Sequence, residues 1–181
     1  RIVSKDTFNI QNLQKDGDQK KQVVSRFHGG NILVCDYISF ESKIALYMSE
    51  DDLFIQKYWD KDLHLETAKI IFGDGKITDE QRSLSKDINH AIMFGAGEEL
   101  LLKKLANNTK PDEILFKIKV FLRPILNKSF RLNAFQKEHG YIINDWGYII
   151  NPKKEFAAFN NFIQSSAAEI LIDKLFEIKE F

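Results

Sequence analysis

The chain has 181 residues, 44% of them apolar and 29% charged, a composition that suits one ordinary folded core and excludes a disordered segment. Lys plus Arg and Asp plus Glu number 26 each, so net charge gives no sign of a polyanionic partner, and the single cysteine, Cys35, excludes an intrachain disulfide and a Cys-based metal site. No apolar run approaches the ~20 residues needed to span a bilayer, and no signal peptide is visible, so no membrane partner is expected.

From Arg1 to Lys21 the chain is polar and irregular, with a turn predicted at Asp16-Gly17-Asp18. Gly29-Gly30 makes a second turn, and the apolar run Ile32-Leu33-Val34-Cys35 reads as a short buried strand that ends on Asp36. A helix is predicted from about Ser39 through Tyr47, and another is opened by Ser49 with Asp52 three residues on, a start like a capping box. The stretch from His64 to Phe72 is amphipathic and ends at an Asp74-Gly75 turn. Thr78-Asp79-Glu80-Gln81 forms a capping box before a long helix reaching about Phe94. Gly95 and Gly97 interrupt the pattern, which resumes through Leu105 and breaks again at Asn107-Asn108 and Pro111. Helical periodicity returns from Asp112 to about Gln136, with Pro124 as a break or kink. Gly140 to Pro152 is aromatic and β-branched around Gly147 and predicts a hairpin or loop. Phe156, Phe159, Phe162, Ile163, Ala167, Ile170 and Leu175 recur at helical spacing, so an amphipathic helix closes the chain. Arg1 in place of Met and an end inside a helical pattern are expected of an excised fragment.

Three features carry candidate chemistry. Asp36 sits at the carboxyl end of a predicted buried strand, which holds an acid rigidly and leaves it in reach of solvent, as a Mg²⁺ ligand requires. Taken alone, a strand-ending Asp more often simply caps the next helix. Arg82, Lys86, His90 and Phe94 follow at steps of four, each a rotation drift of only ~40°, so they share one helix face opposite Leu84, Ile88, Ala91 and Ile92. Two cations followed by two flat rings can grip a triphosphate and stack on a base; a solvated face whose cations pair with nearby acids fits the same pattern. Lys117, Lys119, Arg123, Lys128, Arg131 and Lys137 occur with no acid among them, which suits either a solvated face or phosphate contact.

Taken in order, these features resemble family A (polymerase I-like) DNA polymerases. Asp36-Tyr37-Ile38-Ser39-Phe40-Glu41-Ser42-Lys43 is similar to the family's first palm motif, commonly Asp-Tyr-Ser-Gln-Ile-Glu-Leu-Arg. Arg82, Lys86, His90 and Phe94-Gly95 match the fingers motif Arg-xxx-Lys-xxx-Phe-xxx-Tyr-Gly, and Asp62 to Ala68 with Phe72-Gly73 resembles the Asp-Ile-His-Thr-Glu-Thr-Ala…Phe-Gly segment between them. Phe8 to Asn12 is similar to Pro-Asn-Leu-Gln-Asn ahead of the palm motif, with Arg1 at the place of that segment's Arg. Asn160 to Glu169 resembles the Asn-xxx-Gln-Gly-Thr-Ala-Ala-Asp helix that lies along primer–template.

The resemblance implies template-directed transfer of a deoxynucleotide from dNTP to a primer 3′-hydroxyl at a two-metal Mg²⁺ site. By position, Asp36 and the Tyr37 carbonyl would ligate metal. Arg82 and Lys86, with His64, would hold the triphosphate, while His90 and Phe94 lie at the stacking positions. Glu41 stands where a side chain fills the space of a ribose 2′-hydroxyl. Arg1, Gln11, Asn12, Asn160 and Gln164 would contact DNA. Replication accessory proteins are further expected partners, and the setting is cytoplasmic, in a bacterial or phage-infected cell, or an organelle.

Several positions depart from the family pattern. His90 replaces an aromatic Phe or Tyr and brings a titratable ring. Phe94 replaces Tyr and lacks the hydroxyl that usually bonds the acid at the Glu41 position, so Glu41 is expected to find another partner. Gly147-Tyr148-Ile149-Ile150 follows where the family has Gly-Arg-Arg-Arg. No His-Asp-Glu, the family's last catalytic motif, occurs in the 181 residues, so the chain alone is expected to be inactive. The alternative is a polymerase-like nucleic-acid-binding module without chemistry. The implied fold is α+β and predominantly helical: residues 1–55 palm, 56–138 helical fingers, and 139–181 a return to the palm with the primer–template helix, with little sheet.

Overall fold

The computed structural model describes residues 24–31, 37–154 and 156–179. The chain divides into two units, Arg1–Ile38 and Ser39–Phe181. In the first, the chain turns at Gly29 (φ 71°), where the Gly30 N–H donates to the Phe27 carbonyl at 3.0 Å, as the paired glycines predict. The turn expected at residues 16–18 and the strand expected at 32–35 lie outside the described residues.

The described part of the second unit holds eight helices and one two-stranded sheet, so the predominantly helical α+β class holds. In chain order the helices are α1 (Phe40–Tyr47), α2 (Asp52–Tyr58), α3 (Leu63–Phe72), α4 (Asp79–Met93), α5 (Glu98–Leu105), α6 (Pro111–Phe121) and α7 (Arg123–His139). β1 (Ile142–Ile143) and β2 (Ile149–Ile150) then pair antiparallel, Ile142 opposite Ile150, before α8 (Ala158–Lys179).

Local chemistry explains most of the boundaries. α4 begins with a complete capping box: the Gln81 N–H donates to Thr78 Oγ1 at 3.3 Å, and the Thr78 N–H to Gln81 Oε1 at 2.9 Å. It stops at Gly95, whose φ of 78° favours glycine and whose Cα lies so close to Phe156 that an added Cβ would sit 3.1 Å from the Phe156 Cβ. Pro124, in the first turn of α7, ends the helical run at Leu122 and separates α6 from α7. One expected start is corrected. Asp51, not Ser49, caps α2, accepting the Phe54 N–H at 2.9 Å. The Ser49 hydroxyl instead donates back to the Leu46 carbonyl at 2.7 Å, and a left-handed Glu50 (φ 56°) separates it from the new helix.

The core is continuous. Ile44, Ala45 and Leu46 of α1, Ile88 and Ile92 of α4, Leu101 and Leu105 of α5, Ile118 of α6, Ile125 of α7, and Phe159 and Ile163 of α8 are all buried in it. α3 lies along α4, and α8 lies against both α1 and α7, so α1 is held between the α3–α4 pair and the last helix. The periodicity expected of α8 holds over its first half only. Phe159, Phe162 and Ile163 are buried, whereas Leu175 is exposed and Phe156 precedes the helix with its ring largely in solvent. Among the described residues no helix is long and apolar enough to cross a membrane.

The capping box sets where α4 starts, so breaking it has a defined cost. Thr78→Ala is expected to lower stability by about 1 kcal/mol, read as a shifted urea midpoint with unchanged slope.

Candidate nucleotide-binding face

The polar face of α4 starts from a single acid. Asp62 caps α3 by accepting the His64 N–H on Oδ1 at 2.8 Å, and its Oδ2 takes Arg82 Nε at 2.7 Å and Nη2 at 2.6 Å. Burial raises the pKa of Asp62, but the Arg82 guanidinium and the His64 N–H outweigh it and hold the carboxyl below its ordinary value. Arg82 is therefore anchored at the first turn of α4. One turn on, Lys86 is exposed, and its ammonium makes no ion pair or hydrogen bond among the described residues. Half-buried His90 and Phe94 follow, their rings 5.7 Å apart and inclined at 38°. Ile88 and Ile92 are buried as the spacing predicts, whereas Leu84 and Ala91 are only half-buried and the buried side extends instead to Ser85, Asn89 and Met93.

Behind this face His64 is sealed in the interior at 1% exposure. Asn89 Nδ2 donates to His64 Nδ1 at 3.2 Å and to the Leu63 carbonyl at 3.3 Å. That bond leaves the ring proton on Nε2, which faces Ser42 Oγ at 3.1 Å. Thr67 Oγ1 lies 2.9 Å from Asn89 Oδ1 and 3.0 Å from the Leu63 carbonyl, which fixes the amide's orientation. Burial pushes the His64 pKa down to about 4, with Asp62 pulling the other way, so the ring is neutral at pH 7. Both ring nitrogens are engaged. The triphosphate contact implied for His64 would require release of Ser42 or Asn89.

Glu41 joins three helices. It accepts a hydrogen bond from Gln164 Nε2 of α8 on Oε1, and its Oε2 lies 3.9 Å from His90 Nε2 of α4. These are the partners it finds in place of a tyrosine hydroxyl, and no sequence pattern signals the Gln164 contact. Burial lowers the His90 pKa and Glu41 raises it; the net effect is downward, so His90 is neutral at pH 7. Asn160 lies one turn before Gln164 on α8 and is half-buried.

The structure thus brings Arg82, Lys86, His90, Phe94, Glu41 and Gln164 onto adjoining helices, with His64 beneath them. Asp36, Arg1, Gln11 and Asn12 lie outside the described residues; Tyr37 is described and exposed. A Mg²⁺ ion takes about six oxygen ligands, and no cluster of three or more His, Cys, Asp or Glu suited to a metal occurs among the described residues. Those residues do not by themselves form a metal site. The acid-free basic stretch is largely paired with acids from elsewhere. Lys117 meets Glu113, Lys119 meets Glu98, and Lys128 and Arg131 both meet Glu50, whose pKa they lower.

Comparison with known proteins shows the family and the fold. The family model described as DNA polymerase family A matches residues 1–180. The DNA polymerase I of Caldicellulosiruptor bescii is 30% identical across 100% of this chain and 23% of its own length. That of Borreliella burgdorferi is 31% identical across 96% of this chain and 21% of its own. The DNA polymerase of Mycobacterium phage D29 is 26% identical over 80% of this chain. Among solved structures, the POL domain of Pol1 from M. smegmatis, in complex with DNA primer-template and dNTP, superposes with a TM-score of 0.65 at 20% identity, covering 81% of this chain and 30% of that one. The chain belongs to DNA polymerase family A. It spans between a fifth and a quarter of the length of the two DNA polymerase I relatives.

The His64 ring makes stability depend on pH. Its folded pKa of about 4 lies below the unfolded value of 6.5, so the unfolded state binds the extra proton between the two. The contribution is complete above pH 6.5, shrinks as pH falls, and is gone below about 4; it amounts to on the order of 3 kcal/mol. Urea denaturation at pH 7 and pH 5 is expected to show this loss, and His64→Gln to flatten it.

Proposed function

We propose that the chain supplies the nucleotide-binding face and part of the primer–template surface of an enzyme that carries out template-directed DNA synthesis. The observation that carries this reading is the α4 face: an anchored Arg82, an exposed Lys86 and two successive rings, bordered by Glu41 and Gln164. Negative charge accumulates on a triphosphate as it is cleaved, and preorganised cations stabilise it. In this reading Arg82 and Lys86 take the triphosphate, His90 and Phe94 stack on the base, and Glu41 lies against the sugar. Asn160 and Gln164, one turn apart, reach the minor groove. By the motif match alone, Asp36 and the Tyr37 carbonyl would hold Mg²⁺, and Arg1, Gln11 and Asn12 would contact DNA. Residues 1–55 and 139–181 serve as palm and 56–138 as fingers. The M. smegmatis domain of similar fold carries primer-template and dNTP, which supports both as ligands here.

His64 fits a bracing role better than a ligand role, because its two nitrogens tie α1 to α4. A second reading, a binding module without chemistry, draws support from Arg82, whose guanidinium is already committed to Asp62.

Primer extension by the complete protein separates the two readings. Activity that Asp36→Ala abolishes and Lys86→Ala lowers by about 100-fold supports synthesis. Binding of primer–template without extension in either Mg²⁺ or Mn²⁺ leaves only the binding module. Extension that is indifferent to Lys86→Ala removes the α4 face from the site.

A further inference from the structure

The backbones on either side of the Glu41–Gln164 bond are fixed independently of it. On α1, Ser42 is buried with its Oγ 3.1 Å from His64 Nε2, and Ile44, Ala45 and Leu46 enter the core. On α8, Ile163 is fully buried, and the Ser165 hydroxyl donates to the Phe162 carbonyl at 2.9 Å. Asn144 Nδ2 lies 3.4 Å from Ser165 Oγ, which ties α8 to the β1–β2 hairpin at the residue after Gln164. What is left to move is the Glu41 side chain itself, long, rotamer-rich and 32% exposed.

Two helices offer that side chain a partner. From α4, His90 Nε2 stands 3.9 Å from Oε2, too far for a hydrogen bond, and Phe94 one turn on brings only hydrocarbon. From α8, the Gln164 amide donates to Oε1. A hydrogen bond to an ionised acceptor is stronger than one between neutral groups, so the stronger hold is on α8. The amide nitrogen carries a second hydrogen. Holding Glu41 therefore leaves Gln164 a donor for the acceptors that base pairs present in the minor groove.

Ribose and deoxyribose differ by one hydroxyl. A site rejects an added hydroxyl poorly unless the wall it meets cannot yield. A loose carboxylate yields in two ways: it swings aside, and it accepts a hydrogen bond from the very hydroxyl it should exclude. A carboxylate bonded to Gln164 is held against the first and has one oxygen already occupied against the second.

We propose that Gln164 is a positioning residue for sugar selection, which rests on the nucleotide-binding reading of this site: through Glu41, α8 rather than α4 sets how strongly ribonucleotides are rejected. The test is the ratio of kcat/KM for a dNTP to kcat/KM for the matching rNTP. It is measured with the complete protein on one primer–template, so that a change in DNA affinity divides out. Gln164 is exposed, so its variants are expected to fold with an unchanged urea midpoint. Gln164→Leu, which removes the donor, is expected to lower the ratio about ten-fold. Gln164→Lys, which keeps a donor on a long side chain, is expected to leave it within about two-fold of the parent. In a Glu41→Ala background, Gln164→Leu is expected to change the ratio by less than about two-fold, because its effect passes through the acid. The proposal is overturned by a ratio indifferent to Gln164→Leu, by Gln164→Lys behaving as Gln164→Leu does, or by an equal drop with and without Glu41. Incorporation of neither nucleotide overturns the nucleotide reading and this proposal with it. Incorporation of dNTP at a ratio that ignores Gln164 overturns this proposal alone.

Discussion

A neutral, buried imidazole holds together the part of the molecule on which everything else is mounted. His64 can bridge Ser42 on α1 and Asn89 on α4 only while it is uncharged, because protonated Nδ1 could no longer accept the Asn89 amide. Burial keeps it so, and Thr67 and Leu63 occupy the remaining polar positions around Asn89. A fully satisfied buried network of this kind fixes one relative placement of its helices, since each alternative strands a donor or acceptor in the interior. Asp62 extends the same constraint to the surface: the oxygen that caps α3 and the oxygen that pairs Arg82 belong to one carboxylate. The cation at the start of α4 is therefore set by the fold of α3.

This arrangement also accounts for a balanced net charge in a chain whose family handles polyanions. The excess of cations expected of a phosphate-binding surface is local. Lys86 is exposed on α4 without an acid partner among the described residues, while much of the other positive charge is neutralised within the chain. Glu50 alone takes both Lys128 and Arg131 of α7, and Glu98 of α5 takes Lys119 of α6. Composition sums over all of these and so says nothing about where a phosphate could bind.

What was legible in the sequence was local. The Thr78–Gln81 box, the stop at Gly95, the break at Pro124 and the four-residue steps of the α4 face depend on neighbours a few positions apart, and each is found where the spacing puts it. What was illegible was distant. The basic stretch read equally well as a phosphate contact because Glu50 is separated from Lys128 by 78 positions and from Arg131 by 81. The Gln164 bond to Glu41 spans 123 positions and has no sequence signature. Ser49 differs for another reason: its hydroxyl can donate to the free carbonyls at the end of α1 or accept from the free N–H groups at the start of α2, and with the left-handed turn at Glu50 it donates to Leu46 while Asp51 caps α2. The palm motif's Asp36, on which the metal chemistry of the family depends, lies outside the described residues.

The exchange of a tyrosine hydroxyl for a histidine ring changes which helix controls Glu41. A phenol on the last turn of α4 would bond the acid to that helix, whereas Phe94 offers nothing polar. His90 lies close by, but at pH 7 its ring is neutral and its Nε2 is 3.9 Å from the carboxylate, beyond hydrogen-bonding distance. The direct bond is the one from Gln164, so α8 sets the position of Glu41. A displacement of α4 together with α3 away from α1 would then break the weak His90 contact and the buried Ser42–His64 bond while leaving Glu41, on α1, bonded to Gln164 of α8. In this chain the acid and the cations of the candidate site are carried by separately held helices, and the sealed histidine is the joint between them.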